Sequence, residues 1–161
     1  MTTLAVTGHM DLTDESVPLV RAALRELLAA YSEELTGVSC IAAGADSLFA
    51  EEVTAIGGRL IAVIPSEDYR TAKVKPEHAA VFDHLVEAAA DVVTLPHTTA
   101  TRAAYEAANG ELLRRADRLV AVWDGAPPSG KGGGTADTVV QAQEAGLPVD
   151  VVWPAGAARR G

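Results

Sequence analysis

With 161 residues, 48% of them hydrophobic, 22% charged and 4% aromatic, the chain has the composition of one globular domain rather than a disordered segment. Lys and Arg number 13 against 22 Asp and Glu, and the net charge of −9 argues against a general electrostatic grip on nucleic acid or an anionic membrane. Nucleic acid is therefore not expected as a partner. The single cysteine, Cys40, excludes an internal disulfide and a cysteine-based zinc site.

In chain order, short apolar or β-branched runs fall at residues 4–7, 38–42, 60–64, 92–95, 119–123 and 149–153, and each reads as a strand. Between them, residues 13–32, 46–56, 75–90, 99–116 and 135–145 have helical period. In the first of these, Val17, Val20, Leu24, Leu27, Leu28 and Tyr31 form one stripe, with Arg21, Arg25 and Glu26 off it. Gly57-Gly58 ends the second, and Gly146 with Pro148 ends the last. Cys40 lies in the apolar run Val38-Ser39-Cys40-Ile41-Ala42 and reads as a buried structural thiol. Residues 1–7 lack the basic region of a signal peptide, and no apolar stretch nears the roughly 20 residues of a membrane helix. A soluble, cytoplasmic protein with no membrane partner is expected.

Strands that are apolar throughout and alternate with helices imply a parallel sheet covered on both faces. The fold expected is α/β: a single doubly wound Rossmann-like domain over residues 1–154, with about six mainly parallel strands, followed by a frayed tail at residues 155–161.

Such a sheet binds its ligand beyond the carboxyl ends of the strands, where the strand order reverses. That places Gly8-His9-Met10-Asp11, Ala43-Gly44-Ala45-Asp46-Ser47, Pro65-Ser66-Glu67, Pro96-His97-Thr98 and Asp124-Gly125 near the site. The run Gly130-Lys131-Gly132-Gly133-Gly134-Thr135 leads into the last helix, and its glycines let backbone N–H groups approach a phosphate closely. Residues 125–131 nearly spell a P-loop, but Gly132 stands where the magnesium-holding hydroxyl belongs, which rejects a P-loop NTPase. Arg102, Tyr105, Glu106 and Asn109 share one helix face. His9, His78, His84 and His97 have no zinc spacing, so neither a metal nor a cofactor is expected.

The junctions Thr7-Gly8-His9, Ala43-Gly44-Ala45-Asp46-Ser47 with Ala50 and Glu51, Val122-Trp123-Asp124-Gly125, and Gly130 through Val139 together resemble the SLOG superfamily. These are the Rossmann-like proteins related to DprA and to the LOG phosphoribohydrolases. The resemblance covers nearly the whole chain and implies a site for a nucleotide or nucleotide-derived small molecule, with the glycine-rich turn holding phosphate. Gly8, Gly44, Asp46, Gly133, Gly134 and Thr135 would line it, joined by His9, Arg102, Tyr105, Asn109, Asp124, Lys131 and Gly132 from the reading of the residues. Proteins of this class are often dimers, so a homodimer is among the implications. The LOG motif Pro-Gly-Gly-x-Gly-Thr-x-x-Glu is incomplete: its Glu position is Thr138, its Pro is missing, and the neighbouring carboxylate is Asp137. One residue along a helix turns a side chain by about 100°, so Asp137 does not simply replace that Glu. The expectation is binding or sensing of a nucleotide-like ligand. The alternative is hydrolysis of a nucleoside monophosphate at its N-glycosidic bond, for which Asp46, Glu106, Asp124 and Asp137 are the candidate carboxylates.

Overall fold

The computed structural model of the protein describes residues 1–130 and 134–161. In chain order it contains β1 (Thr2–Gly8), α1 (Ser16–Ala29), β2 (Leu35–Ser39), α2 (Ala45–Ala55), β3 (Arg59–Ile64), α3 (Tyr69–Ala72), α4 (Pro76–Ala88), β4 (Asp91–Thr94), α5 (Arg102–Arg115), β5 (Arg118–Val122), α6 (Thr135–Glu144) and β6 (Val149–Val151). The strands form one sheet in the order β4-β3-β2-β1-β5-β6, and every neighbouring pair is parallel. This is the α/β Rossmann-like arrangement expected from the alternation of apolar runs and helical segments.

Alternate strand residues point to opposite faces, and each face collects its own helices. Leu4 and Val6 of β1, with Val120 and Val122 of β5, pack under Val20, Leu24 and Leu28 of α1 and Phe49 and Val53 of α2. On the other face Ala5, Leu119 and Ala121 meet Ala108 and Leu112 of α5 and Val139 and Ala142 of α6. Farther along the sheet, Leu60, Ala62 and Ile64 of β3 pack with Tyr69 of α3 and Phe82 and Leu85 of α4. The chain thus steps outward from β1 to β4, then returns through α5 across the second face to place β5 on the free side of β1. The strand order reverses between β1 and β5.

Two differences from the sequence reading matter for the site. The second strand ends at Ser39, not at residue 42. Cys40-Ile41-Ala42 is apolar enough to pass for strand, but Ile41 has φ 59°, a left-handed conformation rarely adopted by a β-branched residue. The Ser39 hydroxyl accepts the Ile41 N–H at 3.1 Å and donates to the Asp46 carbonyl at 3.0 Å, and the Ile41 side chain is fully buried. Burial and these bonds hold a backbone conformation that local preference opposes. The second difference is α3, a single turn too short to leave a periodic signal.

Residues 155–161, expected to fray, are tied down. Leu12 and Arg159 form an antiparallel bridge, Thr13 N–H donates to Ala158 O at 3.1 Å, and Arg160 N–H donates to Asp11 O at 2.7 Å. The buried Ser16 hydroxyl contacts both Ala158 N (2.8 Å) and Ala158 O (3.1 Å). Bare backbone polar groups are satisfied here by the loop after β1.

The carboxyl end of β1 comes close to the start of α2. A Cβ on Gly8 would overlap that of Ala45 and lie 2.8 Å from that of Val122. Gly44 has φ +79°, and a Cβ there would meet His9 O at 2.6 Å. Gly8→Ala is therefore expected to destabilise the fold by about 1–3 kcal/mol through overpacking, read as a lowered urea midpoint at unchanged m-value.

Candidate functional site

A cleft of about 580 Å³ opens beyond the carboxyl ends of β1, β2 and β5, at the reversal of strand order. The loop after β1 contributes Gly8, His9, Met10 and Asp11, and the loop after β2 contributes Cys40 and Ala42. Asp46 enters from α2, and Tyr105, Ala108, Asn109 and Leu112 from α5. The start of α6 supplies Gly134, Thr135, Ala136 and Asp137. Pro65, Tyr69 and Lys73 close the end near β3, and Arg159 enters from the C-terminal segment.

Of the residues expected from the sequence, the cleft brings together Gly8, His9, Asp46, Tyr105, Asn109, Gly134, Thr135 and Asp137. Lys131, Gly132 and Gly133 lie outside the described residues. Gly44 stands behind the cleft, where it lets the α2 start approach His9. Arg102 is not brought in: its guanidinium pairs with Glu106 one turn along at 2.8 Å, and both side chains are more than half exposed. That pair takes the solvated side of α5, while Tyr105, Ala108 and Asn109 turn inward. Asp124 also lies outside the lining and serves the loop. Its carboxylate accepts Ala126 N–H at 3.0 Å and sits 3.2 Å from His9 Nε2 and 3.7 Å from Arg159.

The electrostatics divide the cleft. At its β1–β5 corner, burial first and the Arg159 charge second push the His9 imidazole below its ordinary pKa, against the pull of Asp124 and Asp11. A neutral ring fits the hydrogen bond observed, in which Asp124 N–H donates to His9 Nε2 at 3.1 Å. The ring edge packs on Trp153 at 5.6 Å between centroids. Arg159 joins this corner with its Nε 2.8 Å from Asp11 Oδ1. Asp124 is held below the usual carboxylate range, chiefly by the Ala126 N–H and further by His9 and Arg159.

The other end is built around two tyrosine rings. Tyr69 and Tyr105 meet edge to face at 6.3 Å. Asp46 is 9% exposed and makes no side-chain cap of α2, so capping does not account for it. Its burial pushes the carboxyl up to about 7, offset only in part by the Ala42 N–H. Burial likewise pushes the Cys40 thiol and the Tyr69 hydroxyl up, each raised further by the Asp46 charge. Asp137 meanwhile accepts Gly134 N–H at 3.1 Å, a contact that fixes the start of α6. Thr138, at the position where LOG enzymes carry Glu, is fully buried and donates its hydroxyl to Gly134 O at 3.1 Å.

Tyr69, Lys73, Asp11 and Arg159 were missed by sequence reasoning. Asp11 lay inside a flagged junction, and a Tyr just after the Pro65-Ser66-Glu67 junction was a weak signal. Nothing in the composition of residues 155–161 pointed to Arg159.

Several solved structures are similar to the chain. DprA from Streptococcus pneumoniae is 19% identical with a TM-score of 0.71, over 97% of this chain and 52% of that one. A structure describing the single-stranded DNA binding mode of DprA from Helicobacter pylori is 17% identical with a TM-score of 0.69, over 98% of this chain and 68% of that one. The molybdenum cofactor binding protein from Rippkaea orientalis is 16% identical with a TM-score of 0.61, over 95% and 77%. The chain spans about half the length of the pneumococcal DprA it matches. No family model and no curated protein matches it. The fold is thus one that the chain shares with DprA and with the molybdenum cofactor binding protein. The expectation that nucleic acid is no partner is corrected: the fold is shared with a protein described as binding single-stranded DNA, so a net charge of −9 does not exclude nucleic acid. Among the described residues no helix is long and apolar enough to cross a membrane.

Asp46 has a measurable signature. A carboxyl near pKa 7 in the native state and about 3.9 in the unfolded chain makes the native state the stronger proton binder between those values. The contribution of Asp46 to stability therefore falls as pH rises through that window and levels off above it. Asp46→Asn removes this titration. The variant is expected to gain stability relative to the parent from pH 5 to pH 8, by about 3 kcal/mol at 1.36 kcal/mol per pH unit between pH 5 and the carboxyl's pKa of about 7, in urea titrations across that range.

Proposed function

We propose that the cleft binds a nucleotide, either free or as one residue of a single strand. The observation that carries this reading is the site's division at the strand-order reversal. An aromatic, buried end holds Tyr69, Tyr105 and Asp46, and the start of α6 lies across the cleft from it. A planar base suits the first. A phosphate suits the second, because helix geometry leaves the first-turn N–H groups of Thr135 and Ala136 without intrahelical acceptors and both residues line the cleft. The glycine-rich turn before α6 is assigned the phosphate contacts in this reading.

Hydrolysis of the N-glycosidic bond is the weaker reading. Thr138 offers no carboxylate, and Asp137 is engaged by Gly134 N–H. Two of the remaining candidates, Glu106 and Asp124, do not line the cleft.

Mass spectrometry of small molecules released from the purified, undialysed protein tests the reading directly, and calorimetry with AMP and with a thymidine oligonucleotide sorts the two forms of ligand. Affinity for the oligonucleotide should fall steeply with salt if a strand is bound. Tyr105→Ala is expected to weaken binding by about 1–3 kcal/mol, the range for loss of one base–aromatic contact. Arg102→Ala should leave it unchanged, because that side chain faces Glu106 outside the cleft. No binding of either probe, or a Tyr105→Ala protein that is folded and binds normally, would overturn the proposal.

A further inference from the structure

Among the described residues that line the cleft, Asp46 is the carboxyl with neither a paired cation nor a helix start to fix; its hydrogen-bond donor is the Ala42 N–H. Asp11 and Asp124 hold Arg159, and Asp137 holds the start of α6. Its position is fixed from both sides. The Ser39 hydroxyl anchors the Asp46 backbone carbonyl at 3.0 Å, and the left-handed turns at Ile41 and Gly44 carry the chain around it. Asp46 is 9% exposed and lines the same cleft as the Tyr69–Tyr105 pair that receives a base in the reading above.

Resting on that reading, we propose that Asp46 selects the base: its carboxyl, buried in the cleft wall beside the tyrosine pair, pairs with a base edge that sets a hydrogen-bond donor beside an acceptor, the edge of adenine or cytosine rather than guanine. The chemistry follows from the donor inventory. A protonated carboxyl presents one O–H donor and one carbonyl acceptor on adjacent atoms, whereas a carboxylate presents two acceptors. The first complements an amino group beside a ring nitrogen lone pair. The second complements the two adjacent donors of guanine. Pairing with guanine would require a full negative charge to be kept on a buried carboxyl, which is costly without a cation.

Among the described residues, no cation is paired with Asp46. Cys40 from the loop after β2 and Tyr69 from α3 act on it, and burial keeps both protonated at neutral pH. Tyr105 of α5, in ring contact with Tyr69, is raised by burial as well. Lys73, just after α3, lines the same cleft but does not offset the burial of Asp46, whose carboxyl is pushed up to about 7. Both protonation states are thus populated near neutrality, and pH sets which base edge is matched.

The test is calorimetry with AMP and GMP as probes at pH 6 and pH 8, read as the ratio of their affinities, so that titration of the shared phosphate cancels. With a free-protein pKa of about 7, the neutral form falls about ten-fold between these pH values. The AMP-to-GMP affinity ratio is expected to fall at least ten-fold from pH 6 to pH 8 in the parent protein. In Asp46→Asn the amide keeps a donor beside an acceptor and does not titrate, so AMP preference should persist at pH 8 with less than two-fold change in the ratio. A ratio independent of pH in the parent, or the same pH dependence in Asp46→Asn, overturns this inference while leaving nucleotide binding intact. Absence of binding by either nucleotide at both pH values overturns the nucleotide reading and this inference together.

Discussion

The carboxyl end of β1 lies against the first residues of α2 because position 8 carries no side chain. That approach places the loop after β1 directly over the start of α2, where Ala45 N–H donates to His9 O at 3.2 Å. From this contact the cleft takes its shape. Asp46, next along α2, is carried to the cleft wall, and Val122 brings β5 and its loop to the other side.

Within that cavity burial and charge are kept apart. The β1–β5 corner is polar and internally paired: His9 takes the Asp124 N–H, and Arg159 is shared by two carboxylates. The opposite end has tyrosine rings, Lys73 and one carboxyl that, among the described residues, is paired with no cation. The first end is polar at almost no cost in unpaired charge. The second concentrates its polarity in a single group whose protonation follows its surroundings. Net charge is a poor guide to such a site, since most of the 22 acidic side chains lie outside the cleft and the acids within it are largely spoken for.

The alternation of apolar runs and helical periods made the doubly wound sheet readable, and five of the six strands were found within two residues at either end. The second strand slipped because Ile41 is buried beyond the strand's end, among residues of α2, β3, α3 and α4, and apolar pattern cannot distinguish that from strand burial over three residues. The cleft was readable where it hangs on strand ends and small residues, as at Gly8, His9, Asp46 and Gly134. Its remaining walls were not. Arg102 and Asn109 have equal claim to the site by helical spacing, and only the packing of α5 onto the sheet decides that Asn109 faces in and Arg102 pairs with Glu106. Tyr69 depends on a single helical turn, and Arg159 on backbone pairing with a loop almost the whole chain away.

That pairing gives the polypeptide an order of assembly. The loop after β1 is made before the other five strands of the sheet, yet its partners at Ala158, Arg159 and Arg160 follow all of them. A nascent chain can therefore lay down the β1–β4 half of its sheet while one corner of the cleft is still unbraced. Cleavage in the segment after β6 would return a finished domain to that unbraced state without cutting into the sheet, so proteolysis there is a route to loss of function in a molecule whose core is intact.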